Sequence, residues 1–279
     1  MNKDIKLVAL DLDRTTLNSE SHLSEVNRQA LIDAICNGVH VCIASGRAFD
    51  TLPEDIISVP GIEYAITSNG AAIYRIAGKE CLKSYLLTPS SVKTILNLTA
   101  NDTVTYEAFI KGQAFASTEY IRHPEKYGAT EHSLAYVKKT RILKDDIKDF
   151  ILEHCHELDS LDIVVGNEEL KKNIMDRIRN ATDEVYMTSS ISQLLEISYK
   201  DAGKKSGVKF LTEYLGLSRE NVAAFGDADN DTDMIEYAGV GIAMENAAPH
   251  LKQIADPLRS GAEIRPAKGG STVYRRQGY

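Results

Sequence analysis

Two acids spaced two apart, Asp11 and Asp13, close an apolar run within residues 6–18, KLVALDLDRTTLN. Leu7 to Leu10, with Leu12, form a short apolar stretch bounded by polar residues. That is the pattern of a strand buried on both faces of a parallel sheet. Both carboxylates then fall at the strand's carboxyl end, where open α/β sheets bind ligands. Acids held side by side there need a pairing cation or proton. The plainer reading is a polar loop that happens to carry two aspartates. A second acidic knot, GDADND at residues 226–231, follows another short apolar run. Ser45, Gly46 and Arg47 follow a third. A hydroxyl, bare backbone N–H groups and a cation can hold an oxyanion. Ordinary strand-to-helix turns use the same residue types.

In one parallel sheet the ends of these three strands share an edge, so the groups can meet. Clustered Asp oxygens make a hard-ligand site suited to Mg²⁺, which keeps waters and binds substrate phosphate. Phosphoryl transfer needs a nucleophile, an in-line acid/base and positive charge on the equatorial oxygens. Asp11 is a suitable nucleophile, since carboxylates form aspartyl-phosphates. Asp13 is placed to protonate the leaving oxygen and later to activate water. Lys204 or Lys205, at a predicted helix start, can supply the positive charge. Solvated surface lysines are the alternative there.

Positioning these groups takes a βαβ scaffold. Residues 23–37 set Val26, Ala30, Leu31, Ala34 and Ile35 at helical spacing, with Ser24 as N-cap and Gly38 as C′ residue. Residues 39–44 read as a second strand, 50–58 as a helix and 64–68 as a third strand. Asn69-Gly70 is a hairpin signal ahead of a strand at 71–74, which pairs with one at 82–87 around Ala77-Gly78-Lys79; Asn69 reads locally as a turn residue. A different texture follows. Helices at 91–100, 144–157 and 168–180 mix with strand-like pieces at 103–110, 113–117, 161–165 and 184–188. This suggests an α+β domain inserted into the first. The α/β pattern resumes with a strand at 194–198 and a helix at 204–216 that turns Val208, Leu211 and Leu215 inward. Strands at 221–225 and 240–244 complete it. The expected division is a core of residues 1–85 and 192–279 around an insert of 86–191.

The chain has 279 residues, 43% of them hydrophobic, enough for about two packed domains. A formal charge of −8 disfavours non-specific binding to nucleic acid or an anionic membrane surface. No apolar run approaches the ~20 residues of a membrane span. The first residues run straight into the first strand and leave no room for a signal peptide. Cys36, Cys42, Cys81 and Cys155 form no CxxC pair, which points to a reduced, cytoplasmic setting. His154-Cys155-His156 lacks the second ligand cluster a metal site would need.

With these residues in hand, the chain resembles the haloacid dehalogenase-like hydrolases, and more narrowly their Cof-type phosphatases. The likeness rests on DLDRT from Asp11, ASGR from Ala44, TSNGA from Thr67, GDADND from Gly226 and MENA from Met244, in that order, with an α/β cap after the second motif. It implies a Rossmann-like core with an inserted α+β cap. It also implies Mg²⁺ held by Asp11, Asp13 (through its main-chain carbonyl) and Asp227. Asp11 is implied as nucleophile and Asp13 as acid/base. Leu12, Ser45, Gly46, Lys204 and Asn230 are implied phosphate contacts, and Asp231 an orienter of the lysine or of metal water. Three departures stand out: Arg14 where the family usually has Gly, Lys205 after the lysine, and a tail after Asp256 without the usual closing helix.

The function expected is hydrolysis of small phosphorylated metabolites, sugar phosphates or phosphorylated cofactors, enclosed between core and cap. The expected state is a monomer or weak homodimer. A phosphomutase is the alternative within enzymes, and a non-catalytic sensor of a phosphorylated ligand the alternative outside them. A dehalogenase needs neither Asp13 nor a metal carboxylate.

Overall fold

The computed structural model describes residues 4–256, in two compact units. The first takes the described residues up to Gly46, Leu52–Lys83 and those from Gly203 on. The second takes Arg47–Thr51 and Ser84–Ala202. The atypical tail after Asp256 lies outside the described residues.

The first unit opens with strands β1 (Leu7–Leu10), β2 (His40–Ala44), β3 (Ile62–Thr67), β4 (Ala72–Arg75) and β5 (Glu80–Ser84). The second carries β6 (Val104–Ile110), β7 (Gln113–Ser117), β8 (Ile142–Lys144), β9 (Leu158–Val165), β10 (Val185–Thr188) and β11 (Leu194–Tyr199). The chain then returns with β12 (Val222–Gly226) and β13 (Val240–Ala243). The first sheet runs β13-β12-β1-β2-β3-β4-β5. Its strands from β13 to β3 are parallel, and β4 turns back antiparallel on β3. Leu7, Ala9, Cys42, Ile43 and Ala224 are fully buried, as strands covered on both faces must be. Leu10 lies level with Phe225 on one side and Ile43 on the other. That register brings Asp11, Gly226 and Ala44, each the next residue along, to one sheet edge.

Ser24 caps the helix Glu25–Cys36 by accepting from the Asn27 N–H, and Gly38 adopts the expected left-handed φ of 78°. The apolar face is thinner than the spacing suggests: only Leu31 is buried, and Val26 is 50% exposed. Residues 50–58 are not one helix. Pro53 has no N–H to give, and the segment breaks into a 3₁₀ turn, Phe49–Thr51, and a short helix, Glu54–Ile57. Leu215 is half-buried, while Val208 and Leu211 are fully inside.

The second sheet runs β10-β11-β9-β6-β7-β8. One face packs Tyr106, Ala108, Leu161, Ile163, Leu195 and Ile197 into a core shared with the helices Pro89–Leu98, Ile147–Glu153 and Glu168–Ala181. The strand expected at 194–198 belongs here, antiparallel to β9 and β10, and not to the first sheet. Its own pattern suits either sheet, and the tight return from β10 decides the pairing. The chain therefore re-enters the first unit at Gly203 and not near residue 192. The helices Thr118–Arg122 and Glu131–Thr140, and strand β8, are additional to the sequence reading. β8 takes up Lys144, so the helix read at 144–157 starts only at Ile147, capped by Asp146.

The other face of this sheet holds a row of acids. Glu196 stands opposite Asp162, and Asp162 opposite Glu107. All three are buried. Arg141 Nε donates to Glu107 at 2.6 Å, with its guanidinium over the rings of Phe109 and Tyr136. The Ser160 hydroxyl donates to Asp162 at 3.1 Å. Burial first, then Glu196 and Glu107, push the Asp162 carboxyl well above the usual carboxylate range. The folded state therefore binds its proton more tightly than the unfolded state. Stability drawn from Asp162 is present at low pH and falls as pH rises from about 4 through the folded value. Asp162→Asn, which keeps an acceptor for Ser160, should raise stability near pH 7 by about 1–3 kcal/mol and flatten that slope. Urea unfolding at pH 5 and pH 8 checks this; an equal or less stable variant at pH 8 contradicts it.

Candidate active site

The segment after β1 is a wide turn over Leu12–Thr16, closed by the Leu17 N–H donating to the Leu12 carbonyl at 2.9 Å. The Thr16 hydroxyl donates to the Asp11 carbonyl at 2.6 Å. The Asp11 N–H donates to Phe225 O at 3.0 Å, tying this turn to the end of β12. Arg14 sits at φ 65°, the left-handed region. That is the position where the Cof-type pattern has Gly. The turn demands the conformation, and a side chain bears it at a cost of about 1 kcal/mol.

The loop after β12, the start of the helix Lys204–Tyr214 and Asn246 reach Asp11 and this turn, and the loops after β2 and β3 brace them, all within the first unit. Asn69, in the turn after β3, donates its N–H to Ser45 O at 3.1 Å and accepts from Gly203 N–H at 3.0 Å. Gly70, at φ 87°, passes so close that a Cβ would lie 1.9 Å from Gly203 O. Asn69 thus fastens the loop after β2 to the start of the helix Lys204–Tyr214. Its Oδ1 accepts from Asn230 Nδ2 at 2.9 Å. Asn69 is more than a hairpin residue, and it is 3% exposed. Its local Asn-Gly signature reads only as a turn, and the TSNGA likeness assigns it no role.

Lys204 is fully buried and donates to Asp11 Oδ1 and Asp231 Oδ1, each at 2.6 Å. Burial works against its charge, but Asp11 and Asp231 more than offset that, so it stays protonated. Lys205 is exposed, and Lys204 is the lysine that meets the acids. Its backbone N–H is held by Asp233, an unanticipated clamp on the helix's first turn. Burial raises Asp233 to about 6.

Asp231 Oδ2 accepts the N–H groups of Asp227 at 2.9 Å and Ala228 at 3.0 Å. Gly226 allows this closeness: a Cβ there would lie 2.4 Å from Asp231 Cβ. Asp227 accepts from the Thr15 hydroxyl at Oδ1 and from Asn246 Nδ2 at Oδ2, both at 2.9 Å. Arg14 Nε approaches Oδ2 to 3.7 Å, with the arginine side chain 65% exposed. Burial raises Asp227 to about 6, with Asp231 adding to the rise. Burial, then Asp231, push Asp11 well above the usual carboxylate range, against the pull of Lys204.

Oxygens of Asp11, Asp227 and Asp231 lie within 4.8 Å of one another. Three buried acids face one buried lysine, an excess of negative charge that hard oxygen ligands satisfy with a divalent cation. The donor set therefore fits Mg²⁺. Asp231 joins the cluster, but its oxygens already serve Lys204 and two amides, as an orienter's would. The Asp13 side chain is exposed and outside the cluster. Ser45 is buried and Gly46 half-buried beside it. The Leu12 side chain is fully inside the core, so only its main chain is available to a phosphate. Arg47 belongs to the second unit, its guanidinium 4.8 Å from the Tyr136 ring centre.

Residues 8–259 match the family model of haloacid dehalogenase-like hydrolases. The chain belongs to that family and is a phosphoric monoester hydrolase. The 5-amino-6-(5-phospho-D-ribitylamino)uracil phosphatase YcsE of Bacillus subtilis is 31% identical over 254 residues, 91% of this chain and 89% of that protein. Phosphatase YwpJ, also of Bacillus subtilis, is 30% identical over 273 residues, 91% of this chain and 94% of that one. A solved haloacid dehalogenase-like hydrolase from B. subtilis superposes with TM-score 0.75 at 26% identity, over 90% of this chain and 93% of that one.

Proposed function

We propose that this phosphatase is Mg²⁺-dependent, acts on small phosphorylated metabolites and works through an aspartyl-phosphate on Asp11. The first unit is the catalytic core and the second the cap. The observation that carries the reading is Lys204, a fully buried cation bridging Asp11 and Asp231 beside Asp227. A lysine is almost never fully buried unless it is paired, and here both partners are acids of the cluster.

Asp11, Asp227 and the Asp13 carbonyl would hold the ion, which supplies positive charge to the phosphoryl oxygens. Lys204 occupies Asp11 Oδ1 and so leaves Oδ2 to attack phosphorus. The P–O bond to the leaving group breaks, and Asp13 gives that oxygen a proton. Asp13, now a carboxylate, takes a proton from water as the water attacks the phosphoryl group on Asp11, and inorganic phosphate leaves. Ser45, Gly46, the Leu12 main chain, Asn230 and Lys204 would grip the phosphate. Asp231 keeps Lys204 and the Asp227 loop aligned. A cytoplasmic monomer or weak homodimer suits a chain in which no disulfide joins Cys36, Cys42, Cys81 or Cys155. Among the described residues, no helix is long and apolar enough to cross a membrane.

The test is phosphate release over a panel of sugar phosphates and phosphorylated riboflavin-type precursors. The ribitylamino-uracil phosphate named for YcsE belongs in that panel. Release should require Mg²⁺, vanish in EDTA and return on adding Mg²⁺ back. Turnover unaffected by chelation overturns the metal; transfer of the phosphoryl group back to substrate without release favours a mutase.

A further inference from the structure

Asn246, in the MENA segment after β13, has no role in the scheme above. Its Nδ2 donates to Asp227 Oδ2 at 2.9 Å and to the Arg14 carbonyl at 3.2 Å. One amide thus joins the acid at the end of β12 to the strained turn after β1. The MENA segment is itself fastened to the acidic loop. Met244 N–H donates to Gly226 O at 3.1 Å, Ala248 N–H to Asp227 O at 3.0 Å, and Ala247 N–H to Met244 O at 3.0 Å. The amide therefore stands on a braced support. Its Oδ1 is buried and has no partner among the described residues. The orientation of the amide is fixed all the same, because both groups facing Nδ2 are acceptors.

We propose that Asn246 is a positioning residue for the metal carboxylate: it holds Asp227 aimed, and locks the Arg14 turn so that Asp11 and Asp227 keep their separation. The proposal rests on the Mg²⁺ reading above. The physical reason is that a carboxylate held by donors is already oriented before an ion arrives. Thr15 fixes Oδ1 and Asn246 fixes Oδ2. Ordering Asp227 is then no longer a cost of binding. Partners of this kind, one bond removed from the ion, are worth about 10–100-fold in metal affinity.

The test uses the full chain and Mn²⁺ alone, titrated by electron paramagnetic resonance, with no substrate present. Asn246→Ala and the similar-sized Asn246→Leu should weaken Mn²⁺ binding about 10–100-fold while the metal-free thermal midpoint stays near that of the unaltered chain. Lys205→Ala, on an exposed side chain outside the cluster, should bind as the unaltered chain does. Equal Mn²⁺ affinity in folded Asn246 variants overturns the proposal and leaves the metal reading standing. Absence of Mn²⁺ binding by the unaltered chain overturns both. If Asn246→Ala unfolds, Asn246→Leu supplies the comparison. Unfolding of both without metal makes the residue a general brace and overturns the specific role.

Discussion

Asp11→Asn should reduce phosphate release by at least about a thousandfold while the protein remains folded. On the proposed mechanism, the substitution removes the charge of the attacking oxygen and little else. Asn can still accept from Lys204 through its oxygen. The carboxylate it replaces is already disfavoured by burial and by Asp231, so losing its charge does not strip the site of net stabilisation. Single-turnover assays with a labelled substrate should show no label on the variant chain and transient label on the unaltered one. Activity within tenfold of the unaltered chain, in a folded variant, would mean that another group attacks phosphorus.

Lys204→Met should be the most destabilising single change in the core. The ammonium has no solvent exposure and makes two 2.6 Å bonds, to Asp11 and Asp231. Methionine fills the space, so the loss is electrostatic and not a cavity. Two buried acids left without their cation cost about 3–5 kcal/mol. The sign with pH follows from Asp11. A carboxyl whose folded pKa is raised is tolerated when protonated and costs stability once pH passes through that value. The defect should therefore be larger at pH 8 than at pH 5, measured by urea unfolding. A defect independent of pH would mean that packing, not charge, is what Lys204 provides.

The chemistry of the site was legible because it lies at strand ends. Apolar runs stopping at Asp11, Ser45 and Gly226 named both the edge and its groups, and parallel pairing did the rest. What escaped notice was set by contacts distant in sequence. Asn69 looked like a turn residue because an Asn-Gly pair satisfies a turn locally; its bonds to Ser45, Gly203 and Asn230 cannot be seen in a short window. Strand β11 has the alternation of any half-polar strand, and only its pairing with β9 and β10 assigns it. Arg14 departs from the family pattern in the sequence alone. Its left-handed backbone gives the reason the family pattern has Gly there. Asp233 and Asn246 act through backbone groups and one carboxylate, partners that leave no mark on spacing.

Asp11 and the lysine that neutralises it are separated by 193 positions. A nascent chain leaving the ribosome therefore exposes β1, β2 and β3 long before β12 or the Lys204 helix exists. The central strand must wait with one flank unpaired while the whole second unit is synthesised. The sheet that carries Asp11 is completed only when β12 and β13 follow. Premature termination anywhere before the Lys204 helix should leave an aspartate with no counterion and an open strand edge, a natural substrate for chaperones and proteases.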